Sequence, residues 1–169
     1  GGGTLGSDTI ERSVTVRLLR SPSAPTTVAA PEGSTVIGFD GLTSHGATVN
    51  RYTESSFTVA ATTTGWEAST SYGHPAPFIQ FVAAGGSSVT GSLQITSDAP
   101  FTFFSADLYS STTRIPYTMT GTRNGVTVFN LASELPNTYG AFRQVLNPNA
   151  TSVIDTLSIT LTNTAAECC

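Results

Sequence analysis

From residue 34 onward the chain breaks into short segments in which apolar and polar residues alternate, with turn residues returning every eight to twelve positions. The segments run over 36–42, 55–63, 77–83, 88–97, 101–110, 114–122, 125–131, 140–146 and 152–162. Successive side chains of a strand point to opposite faces, so such alternation makes a sheet with one apolar side. Val89, Gly91, Leu93 and Ile95 share one face in this way, as do Val153, Leu157, Ile159 and Leu161. No stretch of eleven or more residues holds a 3.6-residue period. The expectation is an all-β chain, with two antiparallel sheets packed as a β-sandwich. Asn124-Gly125 between two of the segments is a strong hairpin signal, so strands 114–122 and 125–131 are expected to pair directly.

One strand stands apart. TIERSVTVRLLR (9–20) sets Ile10, Val14, Val16 and Leu18 on one side and Glu11, Ser13, Thr15 and Arg17 on the other, with Arg12 interrupting the apolar side. SPSAPTTVAAPEG (21–33) follows, and its Pro22, Pro25 and Pro31 favour an extended chain with little to bury. The expected organisation is an extension with a detached, donor-type strand (1–20), a linker (21–33) and a sandwich domain (34–169).

Composition narrows the function. The chain has 169 residues, enough for one core, and charged residues are only 11% of it, with a formal net charge of -4 and no lysine. Seven scattered arginines build no basic stripe, which argues against nucleic acid or an anionic membrane as partner. Thr (29) and Ser (20) dominate the polar residues and suit strand faces better than helices. No apolar run approaches the ~18 residues of a membrane span. The start GGGTLGSD, with Met119 the only Met, reads as a processed secreted chain or a trimmed one. Cys168 and Cys169 are adjacent, a strained geometry for a mutual disulfide, and are read as free thiols or a link to another chain.

Few residues carry chemistry. His45 and His74 lie in turn-like contexts, no nucleophile elbow is present, and the cysteines lack zinc spacing, so no enzyme is expected. The alternation carries Asp155 in phase with Val153 and Leu157, and Asp107 in phase with Phe101, Phe103 and Ser105. An inward carboxylate needs amides, an arginine or a cation, so Asp40, Asp107 and Asp155 are candidate ligands of a structural Ca²⁺, with turn capping or an arginine pair as the alternative. The stretch 63–78 reads as a long loop carrying Trp66, Glu67, Tyr72 and His74, candidates for stacking on and orienting a polysaccharide; Trp66 as a plug of the sandwich is the competing reading.

The succession GFDGL, SFTV, GWEAS, YGHPAPFIQF, GSLQIT, FTFFSADLYSS, IPYTMTG and IDTLSITL, between about Val36 and Leu161, resembles a bacterial secreted β-sandwich domain. That group occurs in PEP-CTERM-type and other surface proteins and is similar in style to carbohydrate-binding modules. The resemblance implies a non-catalytic, extracellular jelly roll, with bound Ca²⁺ among its options. This chain departs from it by stopping at Cys169, where such domains often add a closing strand, and by carrying strand 9–20. A sandwich short of one strand exposes an edge that natural proteins cover. Strand 9–20 supplies the cover, within its own chain or in the next subunit. Two functions follow as expectations: a self-assembling structural or adhesive subunit of an extracellular filament, or a carbohydrate-binding module beside a secreted enzyme.

Overall fold

The computed structural model describes residues 13–17, 27–70, 76–82, 89–110 and 113–164, with residues 13–17 and Val89 described by backbone alone. Among the described residues there are eleven strands and no helix. The strands are β1 (Ser13–Arg17), β2 (Thr35–Ile37), β3 (Arg51–Glu54), β4 (Phe57–Ala61), β5 (Trp66–Ser69) and β6 (Phe78–Phe81). They continue with β7 (Val89–Leu108), β8 (Ile115–Arg123), β9 (Val126–Leu135), β10 (Arg143–Leu146) and β11 (Val153–Asn163). The fold is all-β and sandwich-like, with a nine-stranded sheet and a two-stranded one, β5–β6.

β7 organises the large sheet. Along one edge it pairs with β4 through Leu93–Ser97 and then with β1 through Thr102–Asp107. Along the other edge β11 occupies positions from Val89 to Thr102, and β10 continues from Ser105 to Leu108. The sequence segments 88–97 and 101–110 are thus one strand of 20 residues. Ser97-Asp98-Ala99-Pro100 between them falls where the β11 register shifts, from Thr156 opposite Thr96 to Ile154 opposite Phe101. A bulge there bends the strand and accommodates Pro100, which cannot donate to the ladder.

The larger of two buried apolar clusters among the described residues forms the main core. Its members come from both ends of β7 (Leu93, Ile95, Phe103, Ala106, Leu108), from β11 (Ile154, Leu157, Ile159), from β8 (Met119) and from the small sheet (Trp66, Ala68, Ile79). Phe57 and Phe101 meet edge to face at 5.2 Å in its middle. The expected hairpin forms, with Arg123 opposite Val126 and the two-residue turn at Asn124 and Gly125, both at positive φ.

Two elements depart from the sequence reading. The stretch 63–78 contains a strand, β5, antiparallel to β6 with Trp66 opposite Phe81. β1 lies inside the large sheet: it pairs in parallel with β2 on one side and with β7 on the other, while the remaining strand pairs are antiparallel. Its separation from the domain is therefore one of chain, across the linker, and not of space.

Candidate functional site

The candidate site is the position that β1 fills. β2 pairs with β1 alone among the described residues, so β1 bridges a three-residue strand to the edge of β7. The register sets Val14 opposite Phe103 and Val16 opposite Ala106, both fully buried, and Thr15 opposite Ser105. The shift between Val14 and Thr15 skips Phe104, and the core face of β7 changes parity there, from Phe101 and Phe103 to Ala106 and Leu108. Ile10 and Leu18, expected as further apolar contacts of this strand, lie outside the described residues.

Arg17 is in register with Asp107, the only charged residue of the β7 segment that pairs with β1. Asp107 is 7% exposed, and a carboxylate so buried requires a compensating partner. On its other side stands Gln144 of β10. The Gln144 side chain binds the linker: Val28 N–H donates to Oε1 at 2.7 Å, and Nε2 donates to the Val28 carbonyl at 2.9 Å. Nε2 also lies 3.3 Å from the buried Ser105 hydroxyl. The linker is thus clasped across β10, two strands from β1.

The three aspartates expected as cation ligands stand on different elements: Asp40 after β2, Asp107 in β7 and Asp155 in β11. Asp155 sits at the bulge of β11, which turns Ile154 to the core and takes Asp155 out of the apolar phase that strict alternation assigned it. Its carboxylate accepts the Asn124 N–H at 2.8 Å and the Thr156 hydroxyl at 3.0 Å, and so caps the β8–β9 turn. The same kind of parity change, at Phe104, sets Asp107 opposite in phase to Ala106 and Leu108. Asp40 is exposed, in the turn after β2. No three acidic, histidine or cysteine side chains among the described residues come close enough to hold a metal ion.

Of the residues expected to take a polysaccharide, Trp66 is 2% exposed, packs against Phe81 at 5.7 Å, and donates its indole N–H to the Ser92 carbonyl at 3.2 Å. It plugs the core under β5 and β6 and offers no face to a sugar. Glu67 is half-buried and accepts Gln80 Nε2 at 3.0 Å. Tyr72 and His74, like Cys168 and Cys169, lie outside the described residues.

A polar knot missed in the sequence holds the turn after β2. Phe39 is fully buried at a φ of 60°, a conformation bulky residues rarely adopt. Glu54 stabilises it by accepting the N–H groups on either side, from Gly38 at 2.8 Å and Asp40 at 3.3 Å. The Tyr52 hydroxyl donates to the same carboxylate and accepts the Gly41 N–H at 3.1 Å, while its ring packs on Phe39 at 5.3 Å. Burial, and then the hydrogen bond to Glu54, push the Tyr52 phenol up to about 12. The signal available in sequence was the pair Tyr52 and Glu54, two apart and so on one side of a strand.

No family model, curated protein or solved structure matches the chain.

Proposed function

We propose that this protein is a non-catalytic structural subunit that assembles outside the cell by passing its N-terminal strand from one copy to the next. The observation that carries the reading is the situation of β1: an interior strand of the sheet, in parallel between β2 and β7, joined to the rest of the domain only through a proline-bearing linker. The same ladder of hydrogen bonds forms whether the strand comes from its own chain or a neighbour. Exchange of one identical element closes a ring or extends a filament at small cost in contacts. Low charge and abundant Thr suit dense packing of such copies, and the resemblance to secreted surface domains points the same way.

The test is the mass of the full-length protein in solution as its concentration rises. Multimers are expected, and the variant carrying Val14→Asp and Val16→Asp should return them to monomers, because these positions are in register with buried Phe103 and Ala106. Thr15→Asp, in register with Ser105, should leave particle mass nearly unchanged. A wild type that stays monomeric at every concentration, with the double variant merely less stable, would reduce β1 to an ordinary strand of a monomeric domain.

A further inference from the structure

A strand that is to be donated needs something that decides when it leaves its own groove. The linker provides such a device at Val28. Val28 is 52% exposed, and the Gln144 amide holds its backbone with a pair of hydrogen bonds. Gln144 is opposite Asp107, and Asp107 is opposite Arg17, so the clasp lies about two strand spacings, ~10 Å, from the end of β1.

That distance limits what the strand can reach. With the clasp closed, only residues 18–27 tether β1, a span of at most ~31 Å at ~3.1 Å per residue. With the clasp open, the tether lengthens to residues 18–34, up to ~53 Å. The chain then hinges where the Ser34 N–H donates to the Pro31 carbonyl at 3.1 Å and Gly33 takes a φ of 85°. Ten residues leaving from beside the home groove favour return to it, whereas seventeen span a neighbouring domain.

Resting on the strand-donation reading, we propose that the Gln144–Val28 clasp is the latch of that exchange: closed, it shortens the tether and keeps β1 at home; open, it releases β1 and the linker together to a second copy of this chain. The acceptor's own Gln144 then takes the incoming Val28. The clasp is made before and after exchange, so it governs the rate and not the final distribution of masses.

The experiment mixes two full-length populations carrying donor and acceptor dyes and follows energy transfer as subunits exchange. Loss of two neutral hydrogen bonds in Gln144→Ala should speed exchange roughly tenfold. Gln144→Glu keeps the acceptor for Val28 N–H but loses the donor to its carbonyl, and should fall between. Final masses should match the wild type in both. Equal rates in wild type and Gln144→Ala would overturn the latch while leaving strand donation standing. If no population exchanges, donation itself fails, and amide hydrogen exchange reads the latch alone. Faster exchange at residues 13–17 of Gln144→Ala, with β8 and β11 unchanged, retains it as a latch within one chain; unchanged protection at 13–17 overturns it.

Discussion

Trp66, Tyr52 and Glu54 illustrate how a residue's role follows from what surrounds it. The Trp66 indole fills space between the small sheet and β7 and has its one donor satisfied by Ser92. Trp66→Ala should therefore cost ~3–5 kcal/mol, read as a shift of the denaturant midpoint, and a nearly neutral result would mean the ring contributes little to the core. Tyr52 carries a pH dependence whose sign follows from its raised pKa. The neutral phenol is the form the fold favours, so its contribution is complete below the ordinary value of 10.0 and is lost as pH rises through about 12. The wild type should lose more melting temperature between those pH values than Tyr52→Phe, which has no proton to lose; parallel curves for the two proteins would contradict the coupling to Glu54.

At the scale of the element, a strand of this protein is set by local alternation until a bulge intervenes. β8 and β9 are regular from Ile115 to Gly121, opposite Leu135 to Phe129, with Val128 bulged out before the two-residue turn, and their close packing rests on Gly121. A Cβ there would come within 2.3 Å of the Phe129 ring and 2.8 Å of Ile154. Gly121→Ala should accordingly destabilise by ~1–3 kcal/mol in a thermal or denaturant melt, and a neutral effect would require β9 to yield without loss. The bulges are the irregular case. An alternation read through Asp155 or Phe104 carries the wrong face past each of them, because one skipped residue reverses every later side chain of the strand. Local sequence offers little warning of a bulge, since its position depends on how a partner strand is aligned.

For the whole molecule, the linker length is the quantity that sets assembly. Removing residues 18–26 leaves Thr27 alone between Arg17 and Val28, at most ~7 Å of chain against the ~10 Å that separates β1 from the clasp. The shortened protein should be unable to close β1 and Val28 onto any one copy, its own or a neighbour's, and with only eight residues, ~25 Å, left between β1 and β2 its strand should reach a neighbour less well, so multimers should give way to monomers at concentrations where the wild type assembles. A shortened chain that assembles like the wild type would show that neither the tether length nor the clasp governs donation. Much of this molecule was legible from sequence, because strand periodicity and the Asn124-Gly125 turn are decided by backbone preferences acting over a few residues. Only the tertiary structure decided that β1 lies parallel between β2 and β7, that Trp66 is covered, that Asp155 caps a turn, and that Gln144 holds Val28, 116 positions away in the chain. Each of these depends on contacts between distant segments, whose choice among many sterically equivalent pairings is made by the packing of the whole core and leaves no periodic trace in either segment alone.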